Sequence, residues 1–176
     1  MAIIMENHRI TGYIKMADIF TLFNLYFGFV GILFFIHGNF TYGSYCLLAS
    51  FLLDFVDGKI ARALKSGPTD FGKYLDFADI VSFGVAPAIL MSLLNPGFIG
   101  AGVAVLFLTS GLLRLARFGA TDTDYCIGVP ITVNGLIFPA AYLIISCFSL
   151  SPSYLLALAL FASALMLGSF RVDKVV

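Results

Sequence analysis

The chain has 176 residues, 60% of them hydrophobic and only 11% charged, with a formal net charge of +0. A soluble domain of this size carries roughly a quarter charged residues, so the composition points to an integral membrane protein and excludes a water-soluble fold. Without a basic surplus, nothing favours nucleic acid as a partner.

A helix that crosses a bilayer needs about 20 mostly apolar residues. In chain order, Ile3–Met16 mixes Arg9 and Lys15 with Ile10, Tyr13 and Ile14, which predicts a short helix lying in the membrane interface. The N-terminus lacks the basic-then-apolar order of a cleavable signal. Six spans follow, at Ala17–His37, Tyr42–Leu64, Asp70–Leu94, Gly97–Phe118, Val129–Leu150 and Pro152–Phe170. Cys46, Cys126 and Cys147 fit no metal-ligand spacing and read as small apolar filler. No internal repeat or linker interrupts the chain, so residues 1–176 read as one domain.

Every Lys and Arg falls at the N-terminus, in the second-to-third or fourth-to-fifth connection, or at the C-terminus. The connections around Gly38–Tyr42, Asn95–Gly97 and Ser149–Ser153 carry no charge. Basic residues collect on the cytoplasmic side, so both termini are expected there. The acidic residues share that side.

Five of the ten acids lie between Asp54 and Asp79. Charge near lipid is costly, so such a cluster is a functional hypothesis by default. Asp54 and Asp57 are three residues apart, as are Asp76 and Asp79, and residues at that spacing share a helix face. The break Lys65-Ser-Gly67-Pro68-Thr69-Asp70 carries turn signals and is short enough for antiparallel neighbours. Asp70 reads as the cap of the third helix. The two pairs then face each other as an oxygen-rich site for a hard divalent cation such as Mg²⁺, Mn²⁺ or Ca²⁺. Gly58 leaves room for a ligand at the backbone, and Arg62 offers a planar fork of donors to a phosphate. An EF-hand is excluded by the residue order. A six-span cation transporter is disfavoured because its charges belong near mid-membrane, and here they gather at one end.

The pattern Asp54-x2-Asp57-Gly58-x2-Ala61-Arg62-x9-Gly72-x3-Asp76-x2-Asp79 resembles the signature of the CDP-alcohol phosphotransferase family. That signature is Asp-x2-Asp-Gly-x2-Ala-Arg, a spacer of eight, then Gly-x3-Asp-x3-Asp. The first half matches fully. The second has one residue more before Gly72 and one fewer before Asp79, so Arg62 to Asp79 keeps the family length.

The resemblance implies transfer of a phosphatidyl-type group from a CDP-linked lipid to an alcohol, with release of CMP. It implies one or two Mg²⁺ or Mn²⁺ ions held by Asp54, Asp57, Asp76 and Asp79, with Asp79 also taking the proton of the attacking hydroxyl. Gly58, Ala61, Arg62 and Gly72 would line the nucleotide. Thr21-Leu-Phe-Asn24-Leu-Tyr-Phe-Gly28 is similar to the family's nucleotide-contacting stretch, which makes Asn24 a candidate contact; an interhelical hydrogen bond is the alternative role. A homodimer is implied as well.

Asp79-Ile-Val-Ser-Phe-Gly-Val-Ala-Pro87-Ala, Arg114-Leu-Ala-Arg117-Phe118 and Gly128-Val-Pro130-Ile-Thr-Val-Asn134-Gly135 resemble the phosphatidylserine synthase branch. L-Serine is the acceptor this implies, with Arg114 and Arg117 near its carboxylate or the diphosphate. Inositol phosphate and glycerol phosphate stay open as acceptors, as do diacyl and archaeal diether chains on the lipid. The expected location is the cell membrane, with the active site at the cytoplasmic face.

Overall fold

The computed structural model of the chain describes residues 16–63, 75, 77–120, 125–168 and 171–173. The expected interfacial helix, the turn after Lys65, Gly72 and Asp76 lie outside the described residues.

Two long helices, α1 (Met16–Ile36) and α2 (Phe40–Ala63), open the chain as a hairpin. Their junction is set by Gly38, whose φ of +77° suits a residue without a Cβ. The Asn39 N–H donates to Phe34 O and the Gly38 N–H to Phe35 O, both at 2.9 Å. These are the two bonds of a Schellman motif, and they occupy carbonyls that the end of α1 leaves without helical partners. Along the hairpin the helices approach through glycine. A Cβ on Gly43 would overlap the Phe35 ring and come within 2.9 Å of Gly31 O. Small residues are what allow such backbone proximity between apolar helices.

The third expected span is not one regular helix. Directly after Asp79 the chain makes a π-helical stretch, Ile80–Val85, before α3 (Ala86–Leu94). The Ala86 N–H still reaches back five residues to Val81 O. Stretches of this kind are rare and occur mostly as single turns, frequently at functional sites. Next comes α4 (Phe98–Ala120).

The fifth span also differs from expectation. Gly128 has φ +74° and Pro130 is extended at ψ 141°, so the helix does not start at Val129. A 3₁₀ turn at Ile131–Val133 leads into α5 (Asn134–Cys147), and α6 (Tyr154–Leu167) follows. An unanticipated short ladder closes the described chain: β1 (Tyr125–Ile127) pairs antiparallel with β2 (Arg171–Asp173), Cys126 opposite Val172.

Six α-helices thus occur among the described residues, the number of spans expected. Among the described residues, α1 and α4 are long and apolar enough to cross a membrane. The apolar portions of the others are shorter: Phe40–Val56, Ile80–Leu94, Ile131–Cys147 and Ser153–Leu167.

One core cluster lies among the π segment, α3, α4, α5 and α6 and contains Phe83, Met91, Phe107, Phe138, Leu155 and Met166. A second joins α1 and α2 to α3 through Ile32, Phe35, Leu47 and Leu90. Many large apolar side chains point outward instead, including Phe23, Tyr26 and Phe29 of α1 and Val105 and Leu113 of α4.

The glycines separate two effects of added volume. Gly102, on α4, faces open space among the described residues, so Gly102→Ala should be neutral or stabilising by up to about 1 kcal/mol through helix propensity. Gly43→Ala should instead destabilise by about 1–3 kcal/mol through overpacking. Thermal unfolding of the two variants in detergent checks the difference in sign.

Candidate active site

From Asn24 onward the buried face of α1 carries Asn24, Gly28, Gly31, Ile32 and Phe35, spaced three and four apart as one helical stripe. Four of these are apolar or glycine. Asn24 is the exception, and it is fully buried, as are Ser50 on α2 and Ser82 in the π segment. A buried amide without partners would cost about 1–3 kcal/mol, so its partners matter.

Asn24 Nδ2 donates to Asp79 Oδ1 at 2.9 Å. Ser50 Oγ is hydrogen-bonded to Asn24 Oδ1 and lies 3.0 Å from the Asn24 carbonyl oxygen. Ser82 Oγ donates to the same carbonyl at 3.3 Å. A carboxylate only accepts, so the amide must turn its NH₂ toward Asp79 and its oxygen toward the serine hydroxyl. Gly28, one turn along α1, makes the approach of Ser82 feasible: a Cβ there would fall 2.8 Å from Ser82 Cα. One buried amide therefore ties α1 to α2 and to the residue that precedes the π stretch.

Ser50 and Asp54 are four residues apart on α2 and share one face, and Asp57 follows three positions later in the same helix. Asp54 and Asp79 are both half-buried. The hydrogen-bonded chain from Ser50 through Asn24 to Asp79 thus links Asp79 to the helix that carries Asp54 and Asp57. Gly58 adjoins Asp57, and a Cβ built there meets no described atom within 4 Å.

Of the acids expected to hold metal, Asp54 and Asp79 are described with their side chains. Asp57 is described in backbone only, and Asp76 not at all. No group of three His, Cys, Asp or Glu side chains occurs among the described residues. The two carboxylates present are hard oxygen donors, which fits a divalent cation of the Mg²⁺ or Mn²⁺ type. Ala61 and Arg62 lie on α2 with side chains outside the description, and Gly72 is outside it entirely.

Arg114 and Arg117 sit near the end of α4. Arg114 is buried, with its guanidinium 5.6 Å from the centre of the Phe118 ring. Arg117 reaches across to α6, where Nη2 donates to Met166 O and Gly168 O, both at 3.2 Å, and Nη1 to Leu167 O at 3.4 Å. These carbonyls terminate α6, where helical partners run out, and a cation complements the negative end of the helix dipole. Gly128 packs against the same cluster; a Cβ there would lie 2.7 Å from Met166 O and 3.1 Å from Arg117 Nη2.

The sequence reading missed Ser50, Ser82 and Gly28 as parts of this arrangement. A signal existed for the serines: Ser50 lies one turn before Asp54, and Ser82 three residues after Asp79. Each therefore shares a helical face with a motif aspartate.

The family model for CDP-alcohol phosphatidyltransferases matches residues 14–170. The chain is 34% identical to the archaetidylserine synthase of Methanothermobacter thermautotrophicus, over 97% of its own length and 75% of that protein. It is also 34% identical to the CDP-diacylglycerol–serine O-phosphatidyltransferase of Methanocaldococcus jannaschii, over 92% of this chain and 75% of the relative. A protein of the same description from Helicobacter pylori is 34% identical over 78% of this chain, which spans 58% of that relative's length.

The clamp at the end of α6 makes its own prediction. Arg117→Ala should lower stability by about 1.5–3 kcal/mol, the range for hydrogen bonds made by charged groups. Arg117→Lys should recover only part, because an ammonium is a point charge rather than a fork. Chemical or thermal unfolding of both variants measures the order.

Proposed function

Because the chain belongs to the CDP-alcohol phosphatidyltransferase family, we propose that it transfers a phosphatidyl-type group from a CDP-linked lipid to the hydroxyl of L-serine. The serine oxygen forms a bond to the lipid-side phosphorus, the bond from that phosphorus to the bridging oxygen breaks, and CMP leaves. The observation that supports the reading is the hydrogen-bonded chain from Ser50 on α2 through Asn24 to Asp79. Serine as acceptor is supported by relatives named for archaetidylserine or phosphatidylserine synthesis that align over most of the chain.

In this reading Asp54, Asp57, Asp76 and Asp79 hold Mg²⁺ or Mn²⁺. Such an ion, when bound, stabilises the charge that develops on the phosphoryl oxygens. Asp79 accepts the proton of the serine hydroxyl. A carboxylate with the ordinary aspartate pKa of about 3.9 is a weak base for a free alcohol. The alcohol becomes acidic as its oxygen bonds to phosphorus, so proton transfer comes late in the step. Gly58 gives the nucleotide open approach to α2, with Ala61, Arg62 and Gly72 completing that side. Arg114 and Arg117 supply positive charge near the acceptor.

The reading also makes the protein an integral membrane enzyme of six spans with its termini and active site on the cytoplasmic side, working as a homodimer. Only 28% of the apolar stretch in α1 and 39% of that in α4 is buried inside the protein. The rest presents Phe, Leu, Ile and Tyr outward, a surface that lipid covers at no cost and water does not. The soluble nucleotide and the lipid tails then meet at the membrane boundary, where the acids lie.

Two measurements test this. Purified protein in lipid, given a CDP-lipid and Mn²⁺ or Mg²⁺, should release CMP with L-serine and not with glycerol 3-phosphate or inositol phosphate. Chelation should abolish turnover and divalent ion restore it; absence of CMP release with every alcohol and ion would refute the assignment. Asp79→Asn should lower kcat by about 100-fold or more, the scale of general base catalysis. Full activity in that variant would end its role as base.

A further inference from the structure

Asn24 matters to the reaction through a route different from the nucleotide contact that resemblance implies. Its side-chain amide is committed inside the protein. One N–H donates to Asp79 Oδ1 at 2.9 Å, and its oxygen is hydrogen-bonded to Ser50. Its backbone carbonyl accepts from Ser82 at 3.3 Å. Asn24, Ser50 and Ser82 are each fully buried, so water does not compete for the bonds among them.

We propose that Asn24 is the positioning residue for Asp79, with Ser50 locking the orientation of its amide; this rests on the role of Asp79 given above. An aspartate side chain rotates about two bonds, and its terminal torsion is broad. A hydrogen bond from a fixed donor selects one plane for the carboxylate. The donor is itself fixed at two points, because α1 carries it and α2 orients it. Should the amide flip, Asn24 would present its oxygen to an anionic oxygen of Asp79. The acceptor-only carboxylate disfavours that flip, and Ser50 adds to the preference by donating to Oδ1. Ser82 and Gly28 complete the arrangement: the hydroxyl on the Asn24 carbonyl holds the start of the π stretch at a fixed height on α1, where a Cβ on Gly28 would block the approach. Asp79 is thus anchored by its side chain and, three residues on, by its own segment.

A group that acts by orienting a reactive carboxylate affects turnover more than nucleotide affinity. Losing an outer partner of a ligating carboxylate typically costs about 10- to 100-fold in activity or metal affinity. At saturating divalent ion, Asn24→Ala should therefore lower kcat about 10- to 100-fold while KM for the CDP-lipid changes by less than about twofold. Ser50→Ala, which leaves the amide in place but unlocks it, should lower kcat by a smaller factor, again at constant KM. Rates are expressed per folded protein, from gel filtration and thermal unfolding in the same detergent.

A rise in KM with kcat preserved in Asn24→Ala would overturn the proposal and return Asn24 to the nucleotide. Unchanged kcat and KM would overturn it also. If Asn24→Ala does not fold, Ser50→Ala decides: a loss of kcat at constant KM supports the proposal, and an unchanged kcat refutes it. Asp79→Asn, run alongside, separates this inference from the reading beneath it. Full turnover in that variant removes the role of Asp79 itself, whereas an inactive Asp79→Asn beside a fully active Asn24→Ala removes only the positioning role.

Discussion

A single buried amide organises the polar end of this protein. Asn24 sits on an otherwise apolar stripe of α1 and joins Ser50 of α2 to Asp79 at the entrance of the π stretch. In a chain that is 60% hydrophobic, burying such a group is costly unless it is satisfied. Satisfaction here requires three segments to be in register at once. That requirement carries specificity that apolar packing does not, because Leu and Phe pack acceptably at many helix rotations. It also ties Asp79 to the helix that bears Asp54 and Asp57.

Packing supports the junction by omission of atoms. Gly31 and Gly43 let α1 and α2 approach, and Gly28 lets the π stretch approach α1. Gly135 does the same for the Phe83 ring, which a Cβ would overlap. The core residues are concentrated on the inward faces, and the outward faces of α1 and α4 are apolar as well. The chain leaves α-helical geometry in the π stretch that follows Asp79. It does so again at the Gly128–Pro130 link, which lies against α6, where the Val129 N–H donates to Leu165 O at 3.5 Å.

Much of this was legible in the sequence. The number of α-helices among the described residues followed from the length of apolar runs. The family followed from eight fixed positions around Asp54 and Asp79. The irregularities were not legible. Nothing local in Ile80–Val85 marks a π turn, because the wider hydrogen bonding is decided by how Ser82 and Phe83 meet α1 and α5. Asn24 showed as a polar residue in an apolar helix, but its partner lies 55 positions away in sequence, beyond any periodicity. The Arg117 clamp was hidden for the same reason: the pattern of basic residues reports the membrane side on which an arginine lies, and not the carbonyls it meets. The β1–β2 pairing joins segments too short to carry a strand pattern.

The central claim is that Asp79 and the acidic face of α2 form one metal-dependent centre. It is tested most directly by soaking Mn²⁺ into crystals of the purified protein and locating the ion by anomalous scattering. The account predicts a peak within coordination distance of both Asp54 and Asp79, with Asn24 still bonded to Asp79. Manganese bound elsewhere, or bound to one of the two carboxylates with the other turned away, would contradict it.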